Sequence, residues 1–421
     1  MLDLKVIREQ PDRAKAGCAA KHVDVDIDRL LTLDTERRQL IQKGDELKAV
    51  RNKASEAIGK AKKAGENASE AIAQMKQVNE DIKAADKRLR GVLDAMRDIQ
   101  IRIPNLPHPS VPVGGEADNV VQRSWGEVPT YDFEVQHHAD LGPRLDILDF
   151  DRGARLSGSN FITMKGAGAA LQRALISFMI DLHVEKHGYT EVAVPFLVRR
   201  EMMFGTGQLP KMEDDMYHVN EDDLFLIPTA EVPVTNLHRE EMLSADDLPR
   251  KYVAYTPCFR REAGSYGAET RGLMRIHQFD KVEMVNLVKP EDSYAVLEGL
   301  LGEAEDVLKA LELPYRVLTL ATGDLSFAAA KCYDLEVWAA GTGRWLEVSS
   351  CSNFEDFQAR RMNLRFRREK GAKPEFVHTL NGSGLALPRT VIAILENYQT
   401  DEGTVVVPQV LRKYMGVSVI K

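Results

Sequence analysis

The chain has 421 residues, 44% of them hydrophobic and 29% charged, and a net charge of −8. That is enough chain for two or three domains with a large core, and its apolar runs fall far short of a membrane span. The opening residues, Met-Leu-Asp-Leu-Lys-Val-Ile-Arg-Glu, hold no apolar signal core and carry acids early, so neither a secretory signal nor a mitochondrial presequence is expected. Cys18, Cys258, Cys332 and Cys351 are far apart and form no CxxC pair, which speaks against a disulfide framework or a cysteine-rich zinc site and for the cytoplasm.

The average charge conceals an asymmetry. Residues 29–103 carry 17 Lys+Arg against 12 Asp+Glu, a balance of +5 that leaves −13 for the rest. The same residues contain no proline and show an apolar period of seven. Met75, Ile82, Leu89, Met96 and Ile103 form one row, and Val78, Ala85, Val92 and Ile99 the second, an a/d seam over four heptads. Upstream, Leu33, Leu40, Leu47, Ala54 and Ala61 form another row, with Val50, Ala57 and Ala64 as its expected companions. The two runs meet at residues 62–67, where Gly65 and Asn67 suit a turn. The pattern predicts an antiparallel two-helix coiled-coil arm over 29–103, each helix ~50 Å long at 1.5 Å per residue. Such a hairpin is commonly a dimerisation or spacer element. Its basic balance also suits contact with nucleic-acid phosphates.

Pro104, Pro107, Pro109 and Pro112, followed by Gly114 and Gly115, stop the helix. Residues 1–103 therefore read as an N-terminal domain, 104–120 as a linker and 121–421 as a catalytic domain. Beyond the linker the pattern predicts a helix over 171–187 ended by Gly188, and a strand over 189–198 with Pro195 near its end. Further strands are expected at 224–228, 252–260, 273–285, 316–320, 333–338, 345–349 and 376–380. Helices are expected at about 230–242, 291–312 and 388–399. Strands 252–260 and 273–285 read as one hairpin, and 333–338 with 345–349 as another, so the body is α+β with an antiparallel sheet. Neither a Walker phosphate loop nor a strand-GxGxxG-helix fingerprint occurs, and "GTGQLPK" (205–211) reads first as a turn.

One hairpin carries chemistry. On strand geometry Arg260 and Glu262 share a face, and so do Arg275, His277, Phe279, Lys281 and Glu283 on the returning run. A solvated sheet surface explains one such strand. Here the opposite face carries Gln278 and Asp280 and is no clean core stripe. An aromatic to stack a base, arginines for phosphate and a carboxylate for an amino group together suit a nucleotide. The intervening loop, 263–272, with Gly264, Gly267, Gly272 and Arg271, is expected to close over the ligand.

The run "FRRE", loop, "RIHQF" resembles motif 2 of class II aminoacyl-tRNA synthetases. Residues 171–195 resemble motif 1, a long helix and a strand ending in proline. "NGSGLALPRTVIAILEN" (381–397) resembles motif 3, although Leu387-Pro388 stands before Arg389 where the family often has another glycine. "LIPTAEVPV" (226–234), "GTGQLPK", "KCYDLEVW" (331–338), "EVSSCSNFEDFQARR" (347–361) and the basic hairpin are similar to bacterial-type seryl-tRNA synthetases across essentially the whole chain.

That resemblance implies a class II antiparallel sheet with flanking helices behind the arm. It implies ATP-dependent activation of serine to seryl-adenylate, and transfer to the 3′ end of tRNA(Ser), with tRNA(Sec) a further acceptor. Arg260 and Arg389 would be catalytic. Thr229, Ala230, Glu231, Arg260, Glu283 and Ser383 would bind serine. Arg260, Arg261, Glu262, Arg275, Ile276, Phe279, Glu347, Val348, Ser349, Ser350 and Arg389 would bind ATP, with Mg²⁺ on Glu347 and Ser350. A homodimer is implied by motif 1, and the arm would take the tRNA. Two other readings keep parts of this picture. One is an amino acid:carrier-protein ligase, whose relatives lack the long hairpin. The other is a coiled-coil adaptor with an inactive body, against which stand Arg260, Glu262, Glu283 and Arg389. Taken singly, Thr229 reads as a helix N-cap and Glu347 as a solvated strand residue.

Overall fold

The computed structural model describes residues 1–65, 67–263 and 271–421. Residues 264–270 of the loop expected to close over the ligand, and Glu66 of the hairpin turn, lie outside the described residues. Contacts divide the chain into two units, Met1–Pro104 and Asn105–Lys421.

The first unit is helical. Helices α1 (Leu4–Glu9) and α2 (Pro11–Ala20) precede two long helices, α3 (Ile27–Ala64) and α4 (Ser69–Gln100). Asp26 caps α3 by accepting the Arg29 N–H at 2.8 Å, and Gly65 ends it at φ 75, a left-handed position that glycine takes without steric cost. On α4 the expected rows face inward, with Ile82, Ala85, Val92 and Met96 buried. On α3 the row of Leu33 faces inward too, but its companions differ from expectation. Val50, Ala57 and Ala64 are exposed; the second inward row lies three residues before the first and contains Leu30, Gly44 and Ile58, all buried. Arg37 and Arg51 complete that row and break its apolar signal, so the periodicity points to the neighbouring row instead. Buried Asp34 accepts from Arg37 at 2.8 Å and Arg8 at 3.2 Å, tying α1 to α3. Burial opposes its ionisation, but these hydrogen bonds outweigh burial and hold the carboxyl below its usual range.

In the second unit, eight strands form one sheet among the described residues: β1 (Val120–Trp125), β2 (Thr190–Glu191), β3 (Arg250–Phe259), β4 (Gln278–Val288), β5 (Tyr315–Thr319), β6 (Lys331–Ala339), β7 (Arg344–Asn353) and β8 (His378–Ala386). Their spatial order is β1-β5-β6-β7-β8-β4-β3-β2, antiparallel except at the β2–β3 edge. Helices α5 (Gly166–Glu185), α6 (Ser293–Ala310) and α7 (Leu387–Asn397) pack on one face, where Leu175, Met179, Leu301, Leu308 and Ile394 join Val282, Met284, Leu335 and Val337 in the main core. Among the described residues, no helix is long and apolar enough to cross a membrane.

Several expectations change. Residues 105–114, expected in a linker, are bound to the second unit. Asn105 is buried and donates to the Ala328 and Phe354 carbonyls, and Thr322 and Gly323 donate to Pro112 and Gly114. Prolines stop a helix but do not keep a segment from packing. The strand expected over 189–198 is reduced to Thr190–Glu191 and Leu197–Arg199, because Pro195 offers no N–H to a ladder. The helix expected at 230–242 is one short α-turn, Glu231–Thr235, continued by the 3₁₀ turn Asn236–His238, before Glu240 at φ 63 redirects the chain. Strand β4 begins at Gln278, so Arg275 and His277 precede it and do not share its alternation.

Candidate active site

The site occupies the other face of β4 and its neighbours. Phe279 pairs with Cys258, Lys281 with Thr256 and Glu283 with Ala254. Further along the same face, Val285 and Leu287 enter a second core cluster, so one strand face passes from charge to apolar packing. Beyond the ladder, the Arg260 N–H donates to the His277 carbonyl at 2.9 Å and the His277 Nδ1–H donates to the Arg260 carbonyl at 3.0 Å. These bonds keep the two chain segments in register up to the arginine.

Two β-bulges decide which side chains arrive together. Between β4 and β8 the register slips at Val282/Glu283, skipping Gly384, so Ser383 stands opposite Glu283. Between β6 and β7 it slips at Leu335/Glu336, skipping Val348, so Ser350 faces Asp334 and Glu347 faces Glu336. In a regular strand, residues three apart point to opposite faces; the extra residue puts Glu347 and Ser350 on one.

Two adjoining cavities result. The smaller, about 280 Å³, is lined by Glu262, Arg275, Ile276, Phe279, Val348 and Arg389 among others. The larger, about 470 Å³, is lined by Thr206, Gly207, Gln208, Thr229, Glu231 and Asn381 among others. Arg260, Glu262, Lys281, Glu347, Ser350 and Ser383 line both. In the smaller cavity Arg275 pairs with Glu262 at 2.9 Å, and Arg389 donates to the Glu347 carbonyl at 2.8 Å and its carboxylate at 3.3 Å. The Arg260 guanidinium lies 5.1 Å from the Phe279 ring centre.

In the larger cavity, buried Glu231 accepts from Gln358 at 2.6 Å. Its pKa is pushed up to about 7, chiefly by burial and then by the charge of Glu283. Thr229 accepts from Lys281 at 2.8 Å and from the Glu231 N–H at 3.3 Å, so its hydroxyl serves the helix start and the cavity together. Glu283 is fully buried. Its carboxylate takes Lys281 at 2.5 Å, Asn381 at 2.9 Å and Ser383 at 3.4 Å. It lines neither cavity itself; those three partners stand between it and the open space.

Three expected residues lie elsewhere. Ala230 is buried in the second core cluster. Ser349, on the buried side of the bulge, donates to the Ser383 carbonyl at 2.7 Å. Arg261 is exposed, its guanidinium 6.0 Å from the Tyr217 ring. Sequence reasoning assigned no role to Lys281, Gln358, Asn381 or Asp334. Lys281 was legible as part of the charged alternation, but the others gain meaning only from contacts across the sheet. Asp334 is held well above the usual carboxylate range by its enclosure and by the charge of Glu347.

The amino-terminal residues 1–107 match the seryl-tRNA synthetase N-terminal domain, and residues 211–398 match the class II tRNA synthetase core domain of the G, H, P, S and T enzymes. The chain is 55% identical to a serine–tRNA ligase of Geobacter sulfurreducens, covering 99% of each protein, and 56% identical to one of Caldicellulosiruptor bescii, covering 100% of each. This chain belongs to the seryl-tRNA synthetases. Its fold superposes on the Pyrococcus horikoshii seryl-tRNA synthetase complexed with ATP with a TM-score of 0.95, at 40% identity over 100% of this chain and 99% of that one. Seryl-tRNA synthetase membership extends through both units, since these relatives align over essentially the whole chain.

Proposed function

We propose that the two cavities are the ATP and serine halves of one activating site, joined at Arg260. The overall reaction is the family's, ATP-dependent ligation of serine to tRNA. In the first step a serine carboxylate oxygen attacks the α-phosphorus of ATP, and the bond to pyrophosphate breaks, giving seryl-adenylate. In the second, a terminal ribose hydroxyl of the tRNA attacks the acyl carbon and AMP leaves. Neither step calls for a covalent enzyme intermediate, so catalysis is positioning and charge neutralisation. The observation that carries this reading is Arg260, which lines both cavities. A planar guanidinium there meets the carboxylate and the α-phosphate together.

In the ATP half, Phe279 stacks on the adenine, Glu262 accepts from its amino group, and Arg275 and Arg389 take the distal phosphates. Both arginines pair with acids, and phosphate replaces those partners. Glu347 and Ser350, with Asp334 beside them, form a hard-oxygen donor set whose carboxylates repel one another, which fits a divalent cation. Mg²⁺ held by Glu347 and Ser350 would neutralise phosphate charge.

In the serine half, Thr229 and Glu231 receive the ammonium. Two buried carboxylates, Glu231 and Glu283, face the Lys281 ammonium, so a second cation is favoured there. The serine hydroxyl meets Ser383, with Glu283 directly behind it. The basic arm takes tRNA(Ser), and tRNA(Sec) as a further acceptor, through phosphate contacts. The working form is a homodimer built on the motif 1 segments, and the free, buried cysteines suit the cytoplasm. An aminoacylation panel of total tRNA with each amino acid tests the assignment. Charging confined to serine supports it; charging of a carrier protein instead of tRNA would favour the ligase reading.

A further inference from the structure

Away from both cavities, His138 and Glu396 form a fully buried pair. The Leu273 N–H donates to His138 Nε2 at 3.0 Å, so the imidazole proton sits on Nδ1, which donates to Glu396 Oε1 at 2.7 Å. The Glu396 carboxylate also accepts the His138 backbone N–H at 3.0 Å, the Thr342 N–H at 2.7 Å and the Thr342 hydroxyl at 2.9 Å. With four donors on its two oxygens, this pair is not a metal site, although His137 lies beside it. His138 Nε2 is likewise committed to a backbone amide.

Each partner leads to the ATP half by a different route. Leu273 is followed by Met274, Arg275 and Ile276, all lining the smaller cavity. Glu396 lies two turns beyond Arg389 on α7. Thr342 is in the turn between β6 and β7, five residues before Glu347. The fit around the imidazole is tight: a Cβ on Gly272, which sits at φ 72, would come within 2.1 Å of His138 Nε2.

We infer that His138 is a positioning residue for ATP activation: through Leu273 and Glu396 it fixes the separation between Arg275 and Arg389. A buried amide without an acceptor is costly, so the segment carrying Arg275 keeps its place only while Nε2 accepts from Leu273. The inference rests on the smaller cavity being the ATP half.

Two substitutions separate the two ring nitrogens. His138→Asn keeps a donor near Nδ1 for Glu396 and leaves Leu273 without an acceptor. His138→Gln places an acceptor near Nε2. In serine-dependent ATP–pyrophosphate exchange by the full-length enzyme, His138→Asn is expected to raise the ATP KM about tenfold or more, with the serine KM within about twofold of wild type. His138→Gln is expected to recover most of that loss. Gly272→Ala, which crowds the same nitrogen, is expected to raise the ATP KM selectively, and it stands in if His138→Asn does not fold. An unchanged ATP KM in a folded His138→Asn or Gly272→Ala protein overturns the proposal, as do parallel rises in both KM values or equal losses in the Asn and Gln variants. Arg275→Ala is the control for the cavity. If it leaves the ATP KM unchanged, the ATP reading fails; if it responds while His138→Asn does not, the positioning role alone fails.

Discussion

In the arm, residues that are close in space follow a simple repeat along each helix. Rows seven apart on α3 meet rows seven apart on α4, and the polar ties between them, such as Arg88 to Glu36 at 2.6 Å, are partly exposed. At the sheet, Lys281, Glu283, Asn381 and Ser383 on its strands and Glu231 and Gln358 on helices beside it come from distant parts of the chain and are buried together. Exposed ion pairs contribute little and tolerate substitution, whereas a buried charge that loses its partner is costly. Alteration of the arm is therefore expected to leave the buried cluster intact, and alteration of the sheet to disrupt it.

The widest separation comes from deletion. Replacing residues 36–96 by a short turn should lower tRNA charging by on the order of 10³-fold, the scale that several phosphate contacts contribute. Serine-dependent pyrophosphate exchange should stay near wild type, and a normal charging rate after deletion would break the division of labour. Next, Arg260→Ala should reduce adenylate formation by roughly a hundredfold or more. Arg260→Lys should restore little, because a point charge does not bridge two oxyanions; a lysine variant with near-normal turnover contradicts the role.

Glu283→Ala should lower exchange with serine by about 30-fold, the scale of a hydrogen bond to a charged group, and exchange with alanine much less. Equal losses on both amino acids would mean that Glu283 acts only by anchoring Lys281 and Asn381. A smaller effect is expected from pH. Burial and the charge of Glu283 raise Glu231 to about 7, and an ammonium favours its ionised form, so serine binding expels a proton below that pH. The serine KM should fall roughly tenfold from pH 6 to 8 and flatten above, with proton release visible as a buffer-dependent binding enthalpy. The same shift makes Glu231 favour folding most below the ordinary carboxylate pKa, a contribution lost as pH rises through about 7. Glu231→Gln should remove the pH step; its persistence would assign the step to another group.

The smallest effect tests the arm's seam. Ile58 is 7% exposed and Val50 is 51% exposed. Ile58→Ala should destabilise the first unit by about 2 kcal/mol, and Val50→Ala by less than about 0.5 kcal/mol, measured by thermal unfolding. The reverse order would restore the register first expected from the sequence.

Much of this molecule is legible in one dimension. Heptad spacing determined the arm, because a helix face repeats on a fixed period and its partner is the next helix along the chain. Turn glycines and alternation determined the two hairpins, β3–β4 and β6–β7, whose partners are also sequence neighbours. The resemblance of the ordered motifs placed Arg260, Glu262, Arg275, Phe279 and Arg389 in one site, that of the 347–361 run added Glu347, and all six line the smaller cavity. Where polar residues interrupted a row, as Arg37 and Arg51 do on α3, pattern alone chose the wrong companions.

The tertiary structure decided which residues of each strand face the two cavities. By strand parity Glu347 and Ser350 point apart; the bulge at Val348 brings them to one face. The bulge at Gly384 does the same for Ser383 and Glu283. A bulge depends on how two strands pair, so no single segment announces it. The same is true of Gln358, of Lys281 as the partner of Thr229, and of the His138–Glu396 pair, whose members stand 258 residues apart. Sequence determined what repeats locally, whereas pairing between distant segments decided burial, register and therefore the chemistry of the site.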